Sequence, residues 1–203
     1  MELKFSRCSL RVNFSFFAVL ALMLLFRDRQ TALVCFLSAM LHECGHLLLL
    51  GLFGARVRAV AFSGAGVVIE RDDVLSLPGS REALAALGGV AVNGMLCLLA
   101  LLLRQMLPEK TFAALFCANA LLGALNLLPV YPLDLWRALF AAFEGRVSRE
   151  KLARVLMSVS RSATLLFCAF CGFYFWKIGC NPSLLAVCLY LLLLNVKRST
   201  TDV

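Results

Sequence analysis

The only two histidines of this 203-residue chain lie four residues apart, in His42-Glu43-Cys44-Gly45-His46, inside an otherwise apolar run. On a helix, positions i and i+4 stand one turn apart on a single face, so both imidazoles can reach one cation. Glu43 is turned by about 100° from His42 and remains close enough to act on a water held at that cation. H-E-x-x-H on a helix is the pattern of a zinc site that carries its own general base. The competing structural reading is two histidines hydrogen-bonded to neighbouring helices, with Glu43 paired to an arginine. A catalytic zinc usually has three protein ligands and a water. Asp134, just past the apolar run that ends in Asn126-Leu127-Leu128-Pro129, is the candidate for the third. It could instead cap a helix beginning near Leu135 or pair with Arg137.

The chain that carries these groups is 62% hydrophobic, and its apolar residues form long unbroken runs. Such runs predict an all-α integral membrane protein with about six transmembrane helices, near residues 10–26, 31–53, 83–103, 111–130, 162–176 and 183–196. Lys4, Arg7 and Arg11 precede the first run as in a signal peptide. Arg27-Asp28-Arg29 stands where a cleavage site would need small residues, which predicts an uncleaved span. In the second, third and fourth spans, His42, Glu43 and His46 are the only ionisable side chains besides cysteine. Each charge there costs roughly 2.5–3.5 kcal/mol, which metal binding or pairing must offset.

Charge in the loops orients the chain. With the amino terminus inside, 15 of the 20 basic residues fall on the cytosolic side, so both termini are expected in the cytosol of a multi-pass protein of the cytoplasmic membrane. The net charge of +8 then reads as a topology signal and contact with anionic lipid; no basic patch interleaved with aromatics suggests nucleic acid. The nine cysteines mostly fall within spans, where apolar packing is the expected role. Cys168 and Cys171 have C-x-x-C spacing but no second pair to complete a metal site.

Between the second and third spans, Val57 to Glu70 form two short β-prone runs around Ser63-Gly64-Ala65-Gly66. They predict a short membrane-associated β-hairpin whose edge, near Gly64 and Gly66, could receive an extended substrate by strand addition. A plain connecting loop is the alternative.

Taken together these residues resemble the site-2 protease family of intramembrane zinc metalloproteases, most closely its small sporulation-type branch. His42-Glu43-Cys44-Gly45-His46 matches the first signature, including the glycine before the second histidine. Asn126, Pro129, Leu133 and Asp134 match the second, N-x-x-P-x-x-x-L-D-G, with Pro132 and Arg137 placed as in the sporulation branch. Gly88-Gly89-Val90-Ala91-Val92-Asn93 is similar to a third, glycine-containing element. Where the family has glycine after the aspartate, this chain has Leu135 and then Trp136, bulky residues that would narrow a substrate path.

The resemblance implies a zinc metalloendopeptidase, with His42, His46 and Asp134 on Zn2+ and Glu43 as catalytic base. Asn126 would hold substrate or the developing oxyanion, or else bond to carbonyls freed by Pro129 and Pro132. Asn93 has the same two readings and leans towards structure. The implied partners are a membrane-tethered protein substrate such as a sigma-factor precursor, the bilayer, and a regulatory membrane protein. The chain reads as one transmembrane domain over 1–203 with its catalytic core at about 31–140 and no appended CBS or PDZ domain. The alternative function is a catalytically weak relative that binds transmembrane segments without cutting them. A transporter would show internal repeat symmetry, which this sequence lacks.

Overall fold

The computed structural model describes residues 2–5, 8–12, 28–63, 66–71, 77–179 and 182–199. Two compact units divide the chain, residues 1–124 and residues 125–203.

The first unit contains a four-stranded sheet, β1 (Glu2–Phe5), β2 (Cys8–Val12), β3 (Val57–Ser63) and β4 (Gly66–Arg71), ordered β1-β2-β3-β4. β1 and β2 pair antiparallel, as do β3 and β4, with Ser63 opposite Gly66. β2 and β3 are parallel, which requires a long crossover, and the helix α1 (Arg29–Leu52) lies within that connection. The residues between β3 and β4, Gly64 among them, lie outside the described ones. The sheet departs from the all-α expectation because β2 takes residues 10–12, the start of the expected first span. Residues 13–27, the rest of that span, are outside the description.

α1 is followed by α2 (Gly79–Ala86), α3 (Gly88–Leu102) and α4 (Glu109–Asn126). α2 and α3 are bent by 41° at Leu87, where two glycines follow at once. The α1 face that carries Ser38, His42, Gly45, His46 and Leu50 is buried, whereas Leu33, Leu37, Leu41, Leu48 and Leu52 are exposed. That division is how a helix sits with its small and polar residues against protein and its leucines toward lipid.

Asp28, immediately before α1, holds α4 at the same end: Lys110 forms an ion pair with it at 2.7 Å, and Thr31 Oγ1 donates to it at 2.7 Å. The Lys110 hydrogen bond, then that of Thr31, holds the Asp28 carboxyl below the usual carboxylate range. A carboxylate with a depressed native pKa stabilises the fold above its unfolded pKa and loses that contribution as pH falls through the lower native value. Lys110→Met is therefore expected to move the Asp28 titration upward, as followed by carboxyl NMR, with little change in stability because the pair is exposed.

The second unit comprises the end of α4, α5 (Asp134–Phe143), α6 (Arg149–Ile178) and α7 (Pro182–Ser199). Trp136, Leu152, Leu156 and Met157 form its buried cluster, with Tyr131, Leu139 and Phe140 packed against it. The Trp136 ring is stacked on Phe140 and edge-on to Tyr131, and its Nε1–H donates to the Leu156 carbonyl at 3.3 Å. Trp136 is thus a core residue of this unit, which explains the bulk in place of a second small residue.

Among the described residues, α1 and the Arg149–Lys177 stretch of α6 are long and apolar enough to cross a membrane, and α2 with α3 passes if counted as one bent span. This is two or three spans where the sequence suggests six. α4 covers most of the expected fourth span, but Glu109, Lys110, Asn119 and Asn126 dilute its apolar character. The expected fifth span is only part of the longer α6, and the apolar section of α7 is restricted to Leu184–Leu193.

Candidate metal centre

The site grows from the buried face of α1. Gly45 is pressed against Gly88 of α3: a Cβ at Gly45 would lie 2.4 Å from the Gly88 carbonyl oxygen, and one at Gly88 would lie 2.6 Å from that of Gly45. Two helices approach this closely only where both lack side chains. The glycine inside the histidine motif is therefore explained by packing, and the close crossing brings α2 and α3 within reach of both imidazoles.

His42 and His46 are 4% and 8% exposed. The Nδ1–H of His42 donates to Asn93 Oδ1, and that of His46 donates to the Ala85 carbonyl oxygen at 2.9 Å. Ala85 lies in the last turn of α2, where helix carbonyls have room for a further donor. Both partners are oxygens that can only accept, so both imidazoles carry their proton on Nδ1 and present a lone pair at Nε2. The two Nε2 atoms are 3.3 Å apart, with the rings edge to face.

That separation has a chemical meaning. Two ligands at the usual zinc–nitrogen distance of about 2.0–2.1 Å, spread by a tetrahedral angle, stand about 3.3 Å from each other. Gly89 completes the cradle, for a Cβ there would lie 2.5 Å from His46 Nε2 and 2.6 Å from His42 Nε2. The donor set, its tautomers and the space beside it all fit a zinc ion.

The other residues singled out in the sequence are placed as follows. Glu43 is half-buried, one position on from His42 along α1. Asp134 opens α5 in the second unit and is 5% exposed; Leu133 occupies the cap position, so Asp134 is not the N-cap of that helix. Asn126 is the last residue of α4 and is half-buried. Asn93 is 1% exposed, and both ends of its amide are engaged, Oδ1 by His42 and Nδ2 as donor to Asn119 Oδ1 at 3.1 Å. That places it behind the histidine, between His42 and Asn119. Gly66 pairs with Ser63 at the start of β4. Cys168 and Cys171 are free thiols.

Sequence reasoning named Gly89 only as part of a glycine-containing element, and overlooked Asn119, Ser38 and the Ala85 carbonyl. For Asn119 and Ser38 a signal existed, a polar side chain kept in an apolar helix. Nothing local marks Ala85, whose part is played by its backbone.

No protein-family model matches the chain. Its fold is that of a site-2 protease from Methanocaldococcus jannaschii: the solved structure superposes with a TM-score of 0.68 at 20% identity, covering 98% of this chain and 94% of the other. In sequence it is 28% identical to stage IV sporulation protein FB of Bacillus subtilis, over 77% of this chain and 54% of that protein. It is 24% identical to a zinc metalloprotease of M. jannaschii, over 68% of this chain and 41% of the other. The chain thus spans about half the length of the curated relatives it matches. The chain is thus similar in sequence to stage IV sporulation protein FB and in fold to a site-2 protease, which supports the site-2 protease family, in its small branch.

Proposed function

We propose that this protein is an intramembrane zinc metalloendopeptidase that cleaves a membrane-tethered protein near the cytosolic face. The observation that carries this reading is the pair of buried Nε2 atoms, 3.3 Å apart, on rings each anchored to an oxygen at Nδ1. The relatives named as a zinc metalloprotease and a site-2 protease support it.

His42, His46 and Asp134 would hold the ion, Asp134 supplying the oxygen ligand; its burial suits a carboxylate whose charge is met by a partner. When bound, zinc would acidify a water and polarise the scissile carbonyl. Glu43 takes the proton from the attacking water at its carboxylate and passes it to the departing amine. Asn126, at the end of α4, is the candidate to orient the substrate carbonyl. A transmembrane helix must be unwound before it can be cut, and β4, last in the strand order, has one edge on which an extended segment near Gly64 and Gly66 could pair.

A sigma-factor precursor is the candidate substrate by kinship with the sporulation protein, with both termini of the protease in the cytosol and a regulatory membrane protein as further partner. The non-cleaving alternative drew its force from Leu135 and Trp136. Burial of Trp136 within its own unit's core removes the Trp136 part of that argument.

Zinc content measured by mass spectrometry in the purified protein, H46A and D134A tests the assignment. About one zinc per chain, lost in both variants, is the expected result; folded wild type that takes up no zinc would overturn it. Glu43→Gln should keep the zinc and lower cleavage of a tethered substrate by roughly 10²–10⁴-fold. A substantial rate in that variant would remove Glu43 from its role.

A further inference from the structure

His46 is held by a backbone carbonyl, whereas His42 is held by a side-chain amide that could present either end. Something must decide which. We propose that Asn119, with Ser38 and the Leu115 carbonyl behind it, is a positioning residue that keeps His42 in the tautomer able to bind metal. This rests on the metal reading above and extends it to a second layer of side chains.

The polarity of the arrangement begins at a group that cannot reverse. The Leu115 carbonyl oxygen, one turn before Asn119 on α4, only accepts. Asn119 Nδ2 donates to it at 2.8 Å and to Ser38 Oγ on α1 at 2.9 Å, which uses both amide hydrogens. Asn119 Oδ1 must then face Asn93, and it accepts from Asn93 Nδ2 at 3.1 Å. Asn93 Oδ1 is left toward His42 and accepts its Nδ1–H, so the Nε2 lone pair turns toward His46. Reversal of either amide would set oxygen against oxygen, or donor against donor, along the line.

Burial gives the chain of bonds its force. Asn119, Asn93, Ser38 and His42 are 0%, 1%, 2% and 4% exposed, so water does not compensate a reversed amide. Three helices each contribute a member: α1 gives Ser38 and His42, α3 gives Asn93, and α4 gives Asn119. A ligand's outer hydrogen-bond partner commonly changes metal affinity by roughly 10- to 100-fold when removed, and the same range is expected one bond further out if the relay is needed to orient that partner.

The test uses the full-length chain in lipid nanodiscs with 15N-labelled histidine. Only His42 and His46 contribute signals, and His46→Ala assigns them. In the metal-free wild type, His42 should show its proton on Nδ1. Asn119→Leu, which fills the same space without an acceptor, should shift His42 toward the Nε2–H tautomer, leave His46 unchanged, and weaken zinc binding roughly 10- to 100-fold in chelator competition. Asn119→Asp, protonated in this buried place, still accepts from Asn93 and donates to the Leu115 carbonyl, so it should keep the wild-type tautomer and bind zinc within a few-fold of wild type. A purely space-filling role predicts the reverse order, with leucine harmless.

If the leucine variant does not fold, Asn119→Ala replaces it, leaving a void where leucine leaves bulk. A folded variant of either kind with wild-type tautomer and wild-type zinc affinity overturns the proposal. A wild type that binds no zinc yet shows the tautomer shift in Asn119→Leu would sink the metal reading and leave the relay standing.

Discussion

Gly89→Ala is expected to remove the metal while leaving the helices formed. Alanine is ordinarily the better helix residue, by about 1 kcal/mol, so α3 itself gains from the change. The loss lies at the site. The added methyl would meet His42 Cε1 and His46 Nε2 at 2.5 Å and His42 Nε2 at 2.6 Å. Neither ring can swing aside cheaply, because each is anchored through Nδ1, one to Asn93 and the other to Ala85. Relief therefore means breaking an anchor, and with it the convergence of the two lone pairs. Zinc per chain should fall from about one to near zero, and cleavage with it, at a stability cost of about 1–3 kcal/mol for the overpacking. Gly94→Ala on the same helix meets nothing within 4 Å and should keep its zinc. Full zinc occupancy in Gly89→Ala would show that the ion does not lie between the two Nε2 atoms.

Gly45→Ala should be more damaging, because its clash is with backbone. Its Cβ would lie 2.4 Å from the Gly88 oxygen and 2.8 Å from both the Gly88 carbonyl carbon and Val92 Cγ2. No rotamer change moves a carbonyl. α1 and α3 would have to part by roughly 1 Å to reach a normal C···O contact of about 3.3–3.6 Å. That displacement would open the bond between His42 and Asn93 and loosen the packing along the crossing. Destabilisation at or above the usual overpacking range of about 1–3 kcal/mol is expected, with loss of zinc, and is read as a lower unfolding temperature together with metal content. Cys44→Ala, one position away on the exposed side, should change neither. A Gly45→Ala protein as stable as wild type would mean that the helices do not cross there.

The two glycine predictions show where sequence reading reached and where it stopped. His42, Glu43 and His46 were legible because ionisable groups are rare in apolar runs and because the four-residue spacing has a fixed meaning on a helix. Asp134 was legible only as a candidate, through its spacing from Pro129 and Leu133. The strand-prone run from Val57 was visible in its β-branched residues. The strands at Glu2–Phe5 and Cys8–Val12 were not: both are short, and although they pair with each other, the other partner of β2 is β3, beyond α1. Among the described residues two or three helices are long and apolar enough to cross where six spans were expected, because an apolar run records tolerance for lipid, while a crossing also needs an unbroken helix of sufficient length.

By itself the sequence determined the chemistry this protein can hold: two imidazoles and a carboxylate at helical spacing in an apolar chain, a combination that calls for a cation. Spacing along one helix is a local property, set by 3.6 residues per turn whatever the rest of the chain does. Only the tertiary structure decided which nitrogen of each ring is anchored and which is turned toward the other histidine, because that depends on acceptors from other helices, Asn93 on α3 and the Ala85 carbonyl on α2. It also decided that Gly45, Gly88 and Gly89 are needed for contact distance, since the space a missing side chain must leave is defined by the neighbour that fills it.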